Sequence, residues 1–351
     1  MIQSAALFPL ILIAAVTALV ASPLAAMIAR RAGLVDVPGS APHKQHKRSI
    51  PDAGGIALAA AIGAGTLVMT RPLDPDVVGI LLAALLIGLW GLWDDRVGLS
   101  PFVKLVGQML SAALLISLGV YVRLFPAGWA NMAITLLWIV GMANAFNFVD
   151  SMDGLALGLG GIAAAFLMLV TMDSGQTALA QLTAVVIGAS AGLYYFNALP
   201  AQMFLGDSGA QMLGVLMSGI AMAYDPQGLP QEVSWFTPVL VLGVPIFDTT
   251  LVTISRTLAH LPLYMGRLDH TYHRLRRLGL SQNRAVLSMH LAAAGLGLLS
   301  FISLSLDSLG ANLLNAAVIL AGSIALGLLL RIEPLSMDRE DLFNDRMDRE
   351  V

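Results

Sequence analysis

The sequence predicts an all-α, polytopic membrane protein with about eleven transmembrane helices, its N-terminus outside and its C-terminus in the cytoplasm. Composition is the first indication, because 57% of the 351 residues are hydrophobic and only 12% are charged, against about 25% charged residues in an average soluble domain. Apolar runs of about 20 residues, the length of a spanning helix, recur along the whole chain. Basic residues are confined almost entirely to alternate loops, as in membrane proteins.

Eleven segments are apolar enough to be predicted as spans. The first has no basic residue before it and is too long for a signal-peptide core, so we expect it to remain as a span. The second and eighth are short and glycine-rich, and such spans often border a functional site. Glycines at the start of the sixth are attributed to close helix packing. The predicted spans are residues 5–28, 54–70, 77–93, 102–121, 129–148, 156–172, 177–198, 209–224, 235–254, 285–304 and 311–330.

The distribution of basic residues gives the predicted orientation, because cytoplasmic loops are enriched in Lys and Arg. With the N-terminus outside, only Arg71 and Arg123 of the 19 basic residues fall in outer loops. Residues 1–332 are expected to form a single transmembrane domain in the inner (plasma) membrane, and residues 333–351 a charged cytoplasmic tail. The absence of cysteine excludes disulfides and thiolate chemistry. A net charge of −3 without a basic domain predicts no nucleic-acid partner.

Polar side chains that are unusual for spanning helices all fall at the predicted cytoplasmic face. Ionisable groups at membrane depth are costly and generally functional. A transporter would place them near the middle of the bilayer, and only Asp248 comes close to that depth. Clustering at one surface instead favours an enzyme that joins a soluble substrate to a lipid headgroup. The clusters are Asp94 with Asp95, then Asn144, Asn147, Asp150 and Asp153, then Asp207, Asp248, and His270 with His273.

These residue types indicate phosphoryl transfer assisted by Mg²⁺, which prefers carboxylates, water and phosphate oxygens. Asp150 and Asp153 are three residues apart and would share a face if the turn is helical. Donors to phosphate are also present. They are Lys104, Arg48, the stretch 270–274 and the backbone of 206–209.

Structural alternatives stay open for several of these residues. Asp94 and Asp95 could simply end a span, the asparagines could hydrogen-bond between helices, and Asp248 could pair with Arg256 or with another cation of the loops. A second Mg²⁺-dependent membrane enzyme class, the CDP-alcohol phosphatidyltransferases, is also considered. Its aspartates cluster on one pair of helix turns, whereas here they are spread over four segments.

Six motifs occur in order between His46 and His273. They are HKRSIP (46–51) with GG (54–55), DD (94–95) with GL (98–99), Lys104 and Gln108, NAFNFVD (144–150) with DGLA (153–156), FLGDSG (204–209), PIFDT (245–249) and HTYHRL (270–275). Together they resemble the polyprenyl-phosphate N-acetylhexosamine-1-phosphate transferases of glycosyltransferase family 4. The resemblance implies transfer of a HexNAc-1-phosphate, by default GlcNAc-1-phosphate, from a UDP-sugar to undecaprenyl or decaprenyl phosphate, with release of UMP. It also implies Mg²⁺, with Mn²⁺ as a substitute, and a homodimer by analogy.

The resemblance also implies roles for individual residues. Asp207 matches the principal Mg²⁺ ligand, with Asp95 and Asp153 as further metal-side carboxylates. The residues expected to be catalytic are Asp94, Asp95, Asp150, Asp153, His270 and His273. Those expected to bind substrate are Arg48, Lys104, Asn144, Asn147, Phe204 and Arg274, with Phe204 packing near the uracil.

The chain departs from the family pattern in two places. Ser151 and Met152 stand where the family often has Gly-Leu, and Tyr272 replaces the middle histidine of the histidine motif. The second change puts sugar contacts in question and argues against a muramoyl-pentapeptide donor. Direct attack by the lipid phosphate is favoured over an aspartyl-phosphate intermediate.

Overall fold

The computed structural model describes residues 7–37, 48–226, 228–264 and 267–332. Within these residues the fold is all-α, apart from a two-stranded antiparallel pairing of Val35–Asp36 (β1) with Ile50–Pro51 (β2). The helices are α1 (Phe8–Ala32), α2 (Gly54–Leu67), α3 (Pro75–Val97), α4 (Pro101–Ser117), α5 (Gly128–Val149), α6 (Leu155–Asp173), α7 (Thr177–Asn197), α8 (Gly206–Ala223), α9 (Gln231–Ser234), α10 (Thr237–Val241), α11 (Gly243–Leu258), α12 (Thr271–Arg277), α13 (Gln282–Ser303) and α14 (Ser308–Leu330).

Seven of the described helices, namely α1, α3, α5, α6, α7, α13 and α14, are long and apolar enough to cross a membrane. The segments 231–241 and 243–258 provide an eighth if the bent pair counts as one span. The chain is therefore a polytopic all-α membrane protein, as predicted. All eleven predicted segments coincide with helical structure. Helices α2, α4 and α8 are too short or too polar to be counted with the seven that could cross a membrane. Eleven crossings, the orientation and the division into 1–332 and the tail stay predictions, and the tail itself lies outside the described residues.

The ninth predicted span, 235–254, is not one continuous helix but is divided between α10 and α11. The chain bends by 68° between α10 and α11, around Leu242. Pro238 and Pro245 lie in the first turns of α10 and α11. The backbone N–H that proline lacks is not needed there. In the middle of one continuous helix, each proline would remove a hydrogen bond and clash with the preceding turn. The hydropathy of the segment is continuous and therefore hid the break.

Helix α8 lies at the centre of the bundle. Every residue from Ser208 to Ala221 is buried, and α3, α5, α2 and α6 surround the helix. A helix that is buried on all sides has no lipid-facing stripe, which suits the short, glycine-containing sequence of α8. Its N-terminus, at Gly206 and Asp207, is thereby held at a fixed place inside the protein rather than at the lipid surface.

Helices α1 and α7 pack at short range through small residues. A β-carbon at Gly192 would lie 2.5 Å from the carbonyl oxygen of Ala15, and one at Gly188 would overlap the carbonyl oxygen of Ile11. Gly188 and Gly192 are four residues apart and so lie on one face of α7, the arrangement that lets two helix backbones approach closely in a membrane. The expected close packing in α6 is also present, since a β-carbon at Gly158 would overlap the ring of His290.

Gly188→Ala should destabilise the protein, whereas Gly141→Ala should not. Overpacking a helix contact costs about 1–3 kcal/mol, while a β-carbon at Gly141 meets no atom within 4 Å and gains helix propensity. Thermal unfolding of the purified variants in detergent measures both. A Gly188→Ala melting temperature equal to that of Gly141→Ala would contradict the packing described for α1 and α7.

Candidate functional site

The site is built around the first turn of α8. Gly206 has a φ of 72°, and a β-carbon there would lie 2.9 Å from Oδ2 of Asp95, so glycine is required for both reasons. Asp95 then caps the helix, because its Oδ1 accepts the Asp207 N–H at 2.8 Å and its Oδ2 accepts the Ser208 N–H at 3.1 Å. A carboxylate is stabilised at this position by the exposed amides and the helix dipole. Asp95 therefore fixes the backbone of Asp207 at the start of α8.

Lys104 of α4 joins two aspartates from different helices. Its Nζ lies 2.5 Å from Oδ2 of Asp94, on α3, and 2.5 Å from Oδ2 of Asp207. Asn147 Nδ2 donates to Oδ1 of Asp207 at 2.5 Å, and Oδ1 of Asp94 accepts the Leu99 N–H at 2.7 Å. The side chains of Asp94 and Asp207 are therefore held against each other by one cation, although the residues are more than a hundred positions apart.

Asn144 lies one turn behind Asn147 in an amide network that ties three helices together. Its Nδ2 donates to Gln108 Oε1 at 2.8 Å, and Gln108 Nε2 donates to Gln211 Oε1 at 3.0 Å. Of the two asparagines, Asn147 reaches the carboxylates, whereas Asn144 serves helix packing. The structural alternative considered for the asparagines thus describes Asn144, and its expected contact with substrate gains no support.

Asp150 and Asp153 lie in the turn between α5 and α6, next to the α8 terminus. Asp153 Oδ2 accepts the Ala201 N–H at 3.0 Å, which joins this turn to the loop before α8. Burial and surrounding negative charge raise the pKa of Asp150 well above its usual range. The negative charges that contribute belong to Asp207, Asp52, Asp95 and Asp153. Asp150 therefore lies where most of the predicted carboxylates converge.

The histidine loop, which we define as residues 269–274, docks on this same turn. Tyr272 is fully buried, and its hydroxyl lies 2.7 Å from Oγ of Ser151. Its ring stacks on that of His270, with centroids 5.7 Å apart and an interplanar angle of 10°. The ring of His273 lies on it at a centroid distance of 4.0 Å. Ser151 and Tyr272, two of the three residues that depart from the family pattern, are thus direct partners. Since Tyr272 has no exposed surface, it cannot itself contact a sugar.

Two buried arginines stabilise the fold around the histidine loop. Arg256 pairs with Asp269, with Nη2 2.9 Å from Oδ1, so it is not the partner of Asp248, which was one of the alternatives considered. Arg274 is 1% exposed, and its guanidinium donates to Leu329 O at 2.7 Å and to Ser255 Oγ at 2.7 Å. Arg274 therefore satisfies carbonyl groups at the end of α14, and its expected contact with substrate gains no support.

The segment around β2 brings the remaining predicted residues to the α8 terminus. Phe204 N donates to Pro51 O at 3.0 Å, and Gly54 N donates to Phe204 O at 2.9 Å, so residues 50–55 run beside the loop that leads into α8. Arg48 begins this segment and is exposed, while His46 and Lys47 lie outside the described residues. The structure thus places Phe204 directly before α8 and in contact with the β2 segment.

The donor set fits a cation that takes few protein ligands. Within the described residues no group of three or more acidic or histidine side chains is arranged to hold a metal, so the expected set of Asp207, Asp95 and Asp153 is not assembled as a closed site. Asp95 and Asp153 both accept backbone amides in the structure. Asp94 and Asp207 do face a common cation, Lys104, and Mg²⁺ commonly uses only one or two carboxylates plus water and phosphate.

Two contributors were not recognised from the sequence. Gln211 and Asp52 gave no signal, since neither belongs to a recognisable cluster. A cavity of about 520 Å³ lies apart from the carboxylates, between the end of α1 and the α7–α8 loop. Its lining includes Arg30 and Arg31 but none of the predicted site residues.

The glycosyl transferase family 4 model matches residues 77–225. The chain is 33% identical over 292 residues to a probable undecaprenyl-phosphate N-acetylglucosaminyl 1-phosphate transferase of Bacillus subtilis, with 80% of each chain covered. It is 29% identical over 359 aligned positions to the decaprenyl-phosphate N-acetylglucosaminephosphotransferase of Mycobacterium tuberculosis, covering 92% of this chain and 87% of the relative. A phospho-N-acetylmuramoyl-pentapeptide-transferase of Bacillus subtilis is 30% identical over 279 residues, covering 72% and 82%.

Asp150→Asn should raise thermal stability, because it removes a charge that the surrounding carboxylates and burial disfavour. The raised pKa of Asp150 means that stability falls as pH rises above the unfolded-state value of about 3.9, so the gain should be larger at pH 8 than at pH 5. A gain of about 1 kcal/mol would correspond to roughly 2–4 °C. Thermal unfolding at both pH values measures it, with the exposed Asp173→Asn as control. A gain that is no larger at pH 8 would contradict the electrostatic explanation.

The Ser151–Tyr272 contact predicts unequal effects of its two partners. Tyr272→Phe loses the bonds to both Ser151 Oγ and Ser151 O, whereas Ser151→Ala leaves the second, at 3.3 Å, in place. Tyr272→Phe should therefore cost about 1 kcal/mol or more. Ser151→Ala also removes the exposed bond from Ser151 Oγ to Phe148 O at 2.6 Å, but it should still cost less. The double variant should lose slightly more than Tyr272→Phe and less than the sum of the two single losses. The free energy of unfolding or the melting temperature tests this order, and fully additive losses would show that the two side chains act separately.

Proposed function

The chain belongs to glycosyl transferase family 4, and from this premise we propose that it transfers N-acetylhexosamine-1-phosphate, GlcNAc-1-phosphate by default, from a UDP-sugar to undecaprenyl or decaprenyl phosphate. UMP is the second product, and the reaction would begin the membrane stage of cell-envelope polysaccharide synthesis. The observation that supports the proposal best is the meeting of Asp94, Asp207 and Lys104 at the start of a buried helix. Relatives that cover most of the chain carry names for this reaction.

The proposed chemistry is a direct displacement at the β-phosphorus of the donor. An oxygen of the lipid phosphate forms the new P–O bond, and the bond from the β-phosphorus to the bridging oxygen breaks, so that UMP leaves with that oxygen. Because the lipid phosphate is mostly ionised near neutral pH, proton removal by a carboxylate contributes little. The larger contribution comes from positioning two anions against each other in one fixed orientation.

Lys104 is the cation that the fold provides for those anions. Its ammonium lies between Asp94 and Asp207 on a flexible stem, so it can exchange a carboxylate for a phosphate oxygen without backbone movement. Asn147, which donates to Asp207, keeps that carboxylate in place during the exchange. Arg48, at the edge of the same region, is the second proposed phosphate-binding cation.

Mg²⁺, with Mn²⁺ as a substitute, is part of the proposal. Asp207 and Asp94 would hold it, because they already share a cation through Lys104. When bound, the ion supplies charge neutralisation for the diphosphate and the leaving UMP. Asp95 and Asp153, both engaged with backbone amides, would support the ligands rather than replace them.

The proposed setting is the inner (plasma) membrane with the site at its cytoplasmic face. Eleven crossings with the N-terminus outside would place the carboxylates and the histidine loop on the side that carries most Lys and Arg. That side also contains soluble nucleotide sugars. A homodimer is proposed only by analogy with the family.

Asp207→Asn should lower UMP release by at least about 100-fold while the melting temperature stays within a few degrees. The amide keeps the shape of the carboxylate but loses the charge that pairs with Lys104 and with a divalent ion. The assay uses purified protein in nanodiscs, UDP-GlcNAc and undecaprenyl phosphate, with Mg²⁺ or with EDTA.

Asp225→Asn, an exposed carboxylate beyond the far end of α8, is the matched control and should leave UMP release unchanged. Wild-type activity that persists in EDTA would exclude the proposed role of Mg²⁺. An inactive wild type across a panel of UDP-sugars would contradict the proposed function itself.

A further inference from the structure

Asp248 is a fully buried carboxylate with a specific pair of partners. Its Oδ2 lies 2.8 Å from Nδ1 of His270, and its Oδ1 accepts the Thr271 N–H at 2.6 Å. Burying a charge without a partner costs free energy. The carboxylate of Asp248 is tolerated here because both of its oxygens accept hydrogen bonds. Asp248 lies on α11, just after the bend in the chain, and the partners lie on the histidine loop.

The contact selects which ring nitrogen of His270 is available. A carboxylate at Nδ1 holds a proton on that atom, so that Nε2 becomes the nitrogen that can meet a ligand. Among the described residues Nε2 makes no hydrogen bond of its own. The ring is also fixed in orientation, since Phe148 lies edge-on at 5.8 Å and Tyr272 is nearly parallel at 5.7 Å.

We propose that Asp248 is a positioning residue for the transfer reaction, which acts through His270 by keeping Nδ1 protonated and presenting Nε2 to a phosphate oxygen of the nucleotide-sugar donor. Since the carboxylate at Nδ1 and a phosphate oxygen at Nε2 are both acceptors, an imidazole that meets both donates from both nitrogens. This inference rests on the proposed function, and it assigns Asp248 to donor binding rather than to lipid binding or the metal.

A purely structural role for Asp248 makes a different prediction. Oδ1 of Asp248 also holds the first amide of α12, so its loss could act by loosening the loop as a whole. In that case the effect would not depend on the imidazole of His270. A double-mutant cycle separates the two, because a residue that acts only through His270 has nothing left to act on once the ring is removed.

The experiment compares Asp248→Asn, His270→Gln and the double variant in the nanodisc assay, with kcat and KM measured for UDP-GlcNAc. The asparagine can still accept the Thr271 N–H, so α12 keeps its anchor. Removing a partner that orients a functional histidine costs about 10- to 100-fold in known metal enzymes, and we expect a fall of that order in kcat/KM. His270→Gln should fall at least as far, and the double variant should be no worse than His270→Gln alone.

Thr249→Val is the matched control, because the buried hydroxyl of Thr249 has no hydrogen-bond partner among the described residues. It should retain wild-type kcat/KM. A further loss on adding Asp248→Asn to His270→Gln, or a kcat/KM of Asp248→Asn equal to that of the wild type, would overturn the proposal.

Side-chain ¹⁵N NMR, with the His270 signals assigned from their loss in His270→Gln, gives a second readout. Nδ1 should be protonated in the wild type and lose that proton in Asp248→Asn. This second readout does not depend on transferase activity, so failure of the proposed function would be seen separately, as wild type that releases no UMP.

Discussion

The repulsion among carboxylates at the start of α8 is the constraint that the rest of the structure has to satisfy. Asp94, Asp95, Asp150 and Asp207 come from three different parts of the chain and meet where solvent is largely excluded. Three kinds of interaction offset their repulsion: the ammonium of Lys104 between two of them, the amides of the α8 terminus on Asp95, and the side-chain amide of Asn147 on Asp207. None of these fully neutralises the cluster, and the remaining negative charge is compatible with the proposed divalent ion.

The helical bundle holds this arrangement by bringing backbones unusually close together. A β-carbon at Gly55 would overlap Ser208, and one at Gly91 would lie 2.6 Å from the Ser208 Cα, so the first turn of α8 fits between α2 and α3 only because both glycines lack side chains. The amide network of Gln108, Asn144 and Gln211 then fixes α4, α5 and α8 one turn below the carboxylates. In a lipid environment, where the hydrophobic effect does not drive helices together, such close contacts and buried hydrogen bonds are the available sources of order.

Most of the helices could be predicted from the sequence, because a span of apolar residues has a strong signal of its own. The bend at Leu242 could not be predicted, because the hydropathy of the segment does not change there. Only the positions of Pro238 and Pro245 indicate it. The site was predictable as a set of residues through the ordered motifs, but their partners were not. Sequence alone identified Asp248 and Arg274 as polar residues near the predicted cytoplasmic face. It could not show that Asp248 contacts a histidine while Arg274 caps the end of α14. Residue type limits the chemistry, whereas the fold decides which of two possible partners lies within reach.

The aspartates therefore divide by what their oxygens already bind. Asp95, Asp153, Asp248 and Asp269 accept backbone amides, an imidazole or a guanidinium, and each joins two segments of the chain. Asp94 and Asp207 are bridged by a flexible lysine through the Oδ2 atom of each, while Oδ1 of Asp94 accepts the Leu99 N–H. Asp150 is surrounded by the charges of neighbouring aspartates. A carboxylate oxygen that accepts a rigid backbone donor cannot release it without disturbing the fold, whereas one that pairs with a lysine can exchange partners at little structural cost. This difference between the oxygens supports the proposal that Oδ2 of Asp94 and Oδ2 of Asp207 face the reacting centre.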